Sequence, residues 1–361
     1  ALRQGRWGHD VFQVAQWYPR VAMLDDIAGW DTSAYDAELE FFNPFGRFDI
    51  RLTLPAGWLV GATGLLVNAD SVLSQQTRQR LATVLHSDSA IVIASIAETK
   101  AGEATSTGMP SLVRSTNGRS MLMWHFVADS VSAFAWGASD RYAWTSVRAV
   151  IPGRAPIPVH WFHTTKWTPE RESQLDEVRH SLEFNSGLLV PYAYPQHTLI
   201  DVPEGGMENP MLTMSDGTRH VHELWHQWFP MMVGTDESRY AFLDEGFANS
   251  LSGTTVAAHT GQPRASTFTS HPRMLFPLLT REDPQSPNIF LALYGYGRPA
   301  PMFRALADVV GHDRMIAALR EYTAVWQFKH PTPWDFMFTM DHALERDLSA
   351  FWYKWLFTTE P

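Results

Sequence analysis

Two histidines and a glutamate, His222, Glu223 and His226, lie within the run HELWH in an arrangement that suits metal binding. An α-helix advances about 100° per residue, so histidines four positions apart lie on one face and can bind one metal ion. A neutral imidazole is a good zinc ligand, and zinc lowers the pKa of a bound water to about 7. The neighbouring carboxylate of Glu223 could accept a proton from that water. The spacing therefore indicates zinc-assisted hydrolysis.

The residues around this run favour a helix. The segment 218–229 has no internal glycine or proline, Asp216 is a possible N-cap, and Pro230 follows the segment. We predict a helix over 218–229 whose aromatic residues pack in the core.

A catalytic zinc ion usually has three protein ligands and an open position for water. The best candidate for the third ligand is Glu245, 19 positions after His226 in the run FLDEGFA. This distance allows the first helix to end and a second one, running from Glu245 towards Ala258, to return beside it. We predict one zinc ion per chain, bound by His222, His226 and Glu245.

HELWH followed after eighteen residues by Glu245 resembles the zinc signature of the gluzincin aminopeptidases, the family of aminopeptidase N and leukotriene hydrolase. The resemblance covers most of the chain and is strongest after Pro169. It implies a zinc metallopeptidase that hydrolyses N-terminal peptide bonds, with Glu223 as general base.

The upstream run Gly205-Gly206-Met207-Glu208-Asn209 resembles the strand of that family that lies along the substrate backbone. The resemblance implies that Glu208 binds the free α-amino group of the substrate. Glycines permit close approach of a backbone, and a carboxylate makes a charge-assisted hydrogen bond to an ammonium group, which agrees with that role.

The run LYGYG, residues 293–297, resembles the Tyr-x-Lys-Gly segment of the family. By register, Tyr294 is the residue whose hydroxyl would stabilise the developing oxyanion. This chain departs from the family pattern because Tyr296 stands where lysine is usual. Tyr296 is therefore a rival for the role.

The resemblance implies an α+β fold, with a β-rich N-terminal domain, a partial saddle-like sandwich, packed on a thermolysin-like, mostly helical catalytic domain. Hydrophobic alternation in 47–54 predicts a half-buried strand, and only 72–85 looks helical before residue 165. After Pro169 the pattern changes to helices, beginning with 168–187. We predict domains at 1–165 and 166–361. Further strands are predicted at 58–67, 90–97, 120–127, 142–151 and 157–163.

Two departures from the family concern the ends of the chain. The Gln-x-Glu element, whose glutamate also binds the substrate amine, is not recognisable, so we expect an N-terminal domain truncated at its start and amine recognition by Glu208 alone. We also expect no C-terminal helical domain, which would leave the cleft open or covered by a partner. The sequence leaves the oligomeric state and the side-chain preference open, and Met207 is the one candidate for the pocket wall.

Composition limits the partners. The chain has 361 residues, a net charge of −10 and no cysteine. Clustered Lys and Arg are absent, which argues against nucleic acid as a partner. Neither a membrane span nor a signal peptide at Ala1 is expected. The compartment stays open, and the expected partners are peptides with a free N-terminus.

Two other functions fit the same residues. One is a zinc endopeptidase or another zinc hydrolase using the same site, including epoxide chemistry. The other is a non-catalytic, zinc-stabilised binding scaffold. A structural zinc site has no use for Glu223 or Tyr294, so their presence argues against a scaffold.

Overall fold

The computed structural model describes residues 4–7, 11–27, 29–33, 39–106, 112–114, 118, 120–166, 168–262 and 295–359. These residues divide into two compact units, and neither unit is one continuous stretch of chain. Unit 1 comprises Ala1–Tyr18, Gly46–Glu183 and Ala193–Leu224, and unit 2 comprises Pro19–Phe45, Phe184–Tyr192 and Trp225–Pro361.

Unit 1 contains nearly all the described strands. The strands among the described residues are β1 (Gly5–Trp7), β2 (Val11–Val14), β3 (Leu24–Asp25), β4 (Gly29–Trp30), β5 (Gly46–Pro55), β6 (Leu59–Ala62), β7 (Leu65–Leu66), β8 (Ile91–Ala94), β9 (Leu112–Arg114), β10 (Ser120–Val131), β11 (Trp136–Ser139), β12 (Ala143–Ala149), β13 (Ile157–His163), β14 (His197–Asp201), β15 (Gly206–Asn209) and β16 (Leu212–Ser215). Only the short β3–β4 pair belongs to unit 2.

The largest sheet of unit 1 has six strands in the order β15-β16-β14-β13-β12-β8. β14 runs parallel to β13 and to β16, while β15 pairs antiparallel with β16. Two smaller sheets, with the orders β1-β2-β11-β6 and β5-β10-β7, complete the β-rich region, and β9 also pairs with β10. β15 is thus an outer strand of the large sheet, close in sequence to the HELWH run.

In the part of the chain that the structure describes, most of the longer helices lie towards the C-terminus. They are α1 (Ala69–Val72), α2 (Gln75–Thr83), α3 (Ile96–Lys100), α4 (Pro169–Leu188), α5 (His220–Trp225), α6 (Glu237–Tyr240), α7 (Glu245–Thr260), α8 (Pro299–Val310), α9 (His312–Trp326), α10 (Pro333–Ala343) and α11 (Ser349–Leu356), with 3₁₀ turns at Val84–His86 and Ala241–Leu243. Within the described ranges, every helix is too short or too polar to cross a membrane.

An aromatic core holds the helices of unit 2 together. Phe247 on α7 stacks on Phe229, with ring centroids 4.2 Å apart, and on Phe303 of α8 at 4.8 Å. Tyr322 of α9 and Phe336 of α10 join this cluster. Because burial of large aromatic rings is strongly stabilising, the cluster fixes α7 relative to the chain that follows HELWH.

The predicted α+β fold, β-rich first and helical later, is confirmed. β5 alternates between outward and half-buried residues as predicted. The helix predicted at 168–187 is α4, with the Thr168 hydroxyl accepting from the Arg171 backbone N–H. At the other end, Thr332 and Asp335 form a capping box that starts α10.

Several predicted boundaries were wrong. The strand predicted at 90–97 ends at Ala94, because Ser95 caps α3, a helix that the sequence pattern did not indicate. The strands β14 and β16, together with β15, which the resemblance implied, interrupt a region whose pattern was predicted as helical. They are four or five residues long and almost wholly buried, so they carry no alternation of polar and apolar residues.

The predicted division at residue 165 stays a prediction. The six-stranded sheet contains strands from both sides of that position, and the compact units divide the chain elsewhere. In unit 2, the Glu237 carboxylate accepts backbone N–H bonds from Glu40 and Phe41, each at 2.9 Å. These bonds attach the segment Pro19–Phe45 to the helical residues of unit 2.

Candidate metal centre

The helix that carries HELWH is shorter than the sequence predicted. α5 ends at Trp225, so His226 lies in the turn that follows and the predicted helix 218–229 was too long at both ends. Pro230 has no N–H, and Met231 donates to the His226 carbonyl at 3.0 Å instead. Because this turn continues directly from α5, His226 still lies beside His222, and both side chains can contact one metal ion.

Asp216 fastens the start of this segment to the predicted substrate strand. Its carboxylate accepts the backbone N–H of Gly205 at 2.9 Å and the backbone N–H of Thr218, also at 2.9 Å. Burial opposes ionisation, but these hydrogen bonds and the Thr218 hydroxyl hold the pKa of Asp216 below its usual value. The Asp216 side chain therefore holds the backbone just before both β15 and α5.

The three predicted zinc ligands lie together. One donor atom from each of His222, His226 and Glu245 lies within 4.8 Å of the other two. His226 Nε2 is 3.4 Å from Glu245 Oε2. Neighbouring donors of a tetrahedral zinc site with bonds of about 2.1 Å are about 3.4 Å apart, so this pair fits zinc. Two imidazoles and a carboxylate are also the donor types that zinc prefers in catalytic sites.

Glu245 is the first residue of α7, and its surroundings constrain it closely. The Tyr296 hydroxyl donates a hydrogen bond to Glu245 Oε1. A Cβ on the next residue, Gly246, would lie 2.5 Å from Pro299 Cβ, so only glycine allows α7 to approach α8 here. An oxygen of the buried Glu237 carboxylate lies within 4.8 Å of one of Glu245. This concentration of negative charge in unit 2 favours a cation.

Glu223 and Glu208 lie close together in unit 1. Both side chains are buried, and a carboxylate oxygen of each lies within 4.8 Å of the other. A Cβ on Gly206 would lie 1.9 Å from Glu223 Oε1. β15 therefore passes directly against the proposed general base, and Gly206, Met207, Glu208 and Asn209 form this strand as the resemblance implied.

The structure separates the two candidate tyrosines. Tyr294 lies outside the described residues, whereas Tyr296 is described and contacts Glu245. The backbone carbonyl of Tyr296 also accepts from the Asn249 side chain at 3.2 Å, which ties this turn to α7. The oxyanion role of Tyr294 therefore stays a prediction.

Sequence reasoning gave Asp244 no role. Its Oδ1 lies 2.5 Å from Nδ1 of His226, and both side chains are fully buried. The sequence did contain one signal for Asp244, because an acidic residue directly precedes the candidate ligand Glu245. The contact between Asp244 and His226 spans 18 positions, so local spacing does not indicate it.

The site can be compared with known proteins. Residues 218–355 match the Peptidase family M1 domain. No protein with curated annotation matches the chain.

Solved structures resemble this fold over most of its length. An M1 zinc metallopeptidase from Deinococcus radiodurans matches with a TM-score of 0.61 and 16% identity, over 88% of this chain and 64% of that protein. A variant of a two-domain M1 zinc metallopeptidase bound to L-tryptophan matches with a TM-score of 0.59 and 16% identity, over 88% and 65% of the two chains. A Deinococcus radiodurans variant bound to a Tyr-Ser-Ala substrate gives 0.58 and 17%, over 88% and 65%. This chain thus spans just under two thirds of these proteins, and the likeness is one of fold.

Proposed function

We propose that this chain, whose residues 218–355 match the Peptidase family M1 domain, is a zinc metallopeptidase that removes N-terminal residues from peptides. The convergence of the His222, His226 and Glu245 donor atoms within 4.8 Å carries the proposal. The 3.4 Å separation between His226 and Glu245 supports zinc as the ion.

The proposed roles follow from the chemistry of each side chain. Zinc, when bound, would polarise the scissile carbonyl and acidify a water. Glu223 takes the proton of the attacking water and passes it to the leaving amine. The Tyr294 hydroxyl donates to the carbonyl oxygen as negative charge develops there.

The exopeptidase preference rests on Glu208. Its carboxylate would pair with the substrate α-ammonium group, and the backbone of Gly205, Gly206 and Met207, with Asn209, would guide the first peptide bond to the metal. The closeness of Glu208 to Glu223 supports this arrangement, because an anchored amine would then bring the first peptide bond to the general base. The Deinococcus radiodurans neighbour bound to Tyr-Ser-Ala supports a peptide substrate.

The test uses one peptide in free-amine and N-acetylated forms, with mass spectrometry of the products. We expect the free-amine form to be cleaved at its first bond about 10²-fold faster, since loss of a charged hydrogen-bond partner costs a few kcal/mol. Glu208→Ala should remove most of that preference. A chelator should abolish cleavage of both forms.

Glu223→Gln is the control for chemistry. It should retain zinc and lose about 10²–10⁴-fold in rate, because the general base is removed while all three metal ligands remain.

Internal cleavage of the acetylated peptide at a rate comparable to that of the free-amine peptide would instead establish an endopeptidase. Zinc binding with no hydrolysis of any peptide would favour a binding scaffold.

A further inference from the structure

Asp244 occupies the position of a helix cap without capping its helix. It is the N-cap residue of α7, yet its side chain makes no hydrogen bond to the first turn of that helix. An N-cap aspartate ordinarily accepts a backbone N–H from the second or third helical residue. Here Oδ1 is directed instead to Nδ1 of His226, 2.5 Å away.

The surroundings of His226 fix which ring nitrogen carries hydrogen. Nδ1 faces two acceptors, Asp244 Oδ1 at 2.5 Å and the Phe229 carbonyl oxygen at 3.1 Å. The Phe229 carbonyl and an ionised Asp244 carboxylate can only accept hydrogen bonds, so both pair with a hydrogen on Nδ1. In the neutral ring, Nε2 then presents its lone pair on the side where Glu245 Oε2 lies, 3.4 Å away.

Burial increases the energetic importance of the contact between Asp244 and His226. The side chains of Asp244 and His226 are both fully buried. A buried carboxylate is costly unless hydrogen bonds or a nearby positive charge compensate it. A zinc ion on the far side of the imidazole would compensate the Asp244 charge through the polarised ring.

We propose that Asp244 is a positioning residue for the metal centre, which holds the His226 ring in the orientation that presents Nε2 to a zinc ion. The inference rests on the proposed function, since it assigns a role toward the same zinc ion. It explains why an aspartate at the start of α7 leaves its own helix uncapped.

The test measures the zinc dissociation constant by competition with a chromogenic chelator, for the parent, Asp244→Ala and Asp244→Asn. Loss of such a partner typically weakens metal binding about 10- to 100-fold, which we expect for Asp244→Ala. Asp244→Asn keeps an acceptor of the same size but loses the charge, so we expect a smaller loss, roughly 3- to 10-fold.

Asp341→Asn is the matched control. Asp341 also accepts a ring N–H, from Trp352 Nε1 at 2.7 Å, but lies on α10 and contacts none of the proposed ligands. Its zinc affinity should match the parent within about twofold, well below the loss expected at Asp244. Circular dichroism of the zinc-free variants separates loss of metal affinity from loss of fold.

An Asp244→Ala variant that folds and binds zinc within about twofold of the parent would overturn the proposal, given the expected 10-fold or larger loss. If Asp244→Ala does not fold, Asp244→Asn decides by the same criterion. A parent protein that binds no zinc contradicts the proposed function itself, which is a different result.

Discussion

Two tyrosines two positions apart are expected to affect different measurable quantities. The Tyr296 hydroxyl donates to Glu245 Oε1, so it supports a proposed metal ligand directly. Tyr294 is the proposed oxyanion donor on the register of the LYGYG segment. A donor to a ligand acts on metal binding, whereas an oxyanion donor acts on charge that exists only in the transition state.

Tyr294→Phe should therefore lower kcat by about 10²–10³-fold with little change in KM or zinc content. Tyr296→Phe should weaken zinc binding and leave kcat at saturating zinc close to that of the parent. Steady-state kinetics and zinc titration of both variants provide the comparison. The opposite ranking in kcat would transfer the oxyanion role to Tyr296.

Among the secondary-structure elements, the important contact joins strand β15 to helix α5. The absence of a side chain on Gly206 lets the strand pass against the Glu223 carboxylate, where a Cβ would lie 1.9 Å from Oε1 and 2.4 Å from Cδ. Overlap of that size forces a shift of the carboxyl group or the strand. The glycine thus sets the distance between the proposed substrate cradle and the general base.

Gly206→Ala should lower kcat about 10- to 100-fold by displacing Glu223, while zinc content stays at the parent level because Glu223 is not a ligand. Gly187→Ala is the control, since a Cβ there meets nothing within 4 Å and α4 continues through the position. The control should retain full activity and gain about 0.5–1 kcal/mol of stability. Unchanged kcat for Gly206→Ala would show that Glu223 has room to move without loss of function.

Over the whole fold, acid stability depends on three histidines in the six-stranded sheet of unit 1, where His163 and His197 are buried and His160 is half-buried. Burial lowers the pKa of His160 and of His163 to about 4, and burial together with the neighbouring His160 lowers that of His197 to about 3. His160 and His163 lie on β13, and His197 lies on the adjacent β14. Protonating any of these three histidines would place a positive charge inside the sheet.

These shifts predict loss of stability in acid. The unfolded chain binds protons at these histidines near the ordinary histidine pKa of 6.5, while the folded chain does not until pH 4 to 3. Their stabilising contribution is therefore complete above pH 6.5 and is lost as the pH falls towards 4. Each histidine contributes about 1.4 kcal/mol per pH unit across that window.

Urea unfolding between pH 7.5 and 4.5, compared for the parent and His197→Gln, isolates one of these protons. The variant should be less stable at neutral pH, but its stability should fall less steeply with acid, by about 1.4 kcal/mol per pH unit. His312→Gln, at an exposed position, should keep the slope of the parent. Equal slopes for the parent and His197→Gln would contradict the burial argument.

The sequence alone determined the features that depend on local spacing. The HELWH run implied two histidines on one turn, and the structure brings their donor atoms within 4.8 Å of each other even though the helix ends at Trp225. The strand β5 and the helix α4 followed from hydrophobic alternation and from Thr168 as N-cap, because these signals lie within the element itself.

The packing that joins distant residues is visible in the fold alone, although the motif had already paired Glu245 with His226. Phe229 and Phe247 stack through the aromatic core, and this packing brings Glu245 beside His226. The same packing lets Asp244 leave its helix uncapped and contact His226. The short, buried β14 and β16 have no alternation to reveal them, and β15 was indicated by the family resemblance alone; its pairing with β16 was not predicted. Contacts between residues far apart in sequence depend on packing of the whole core, which leaves no periodic signal in the chain.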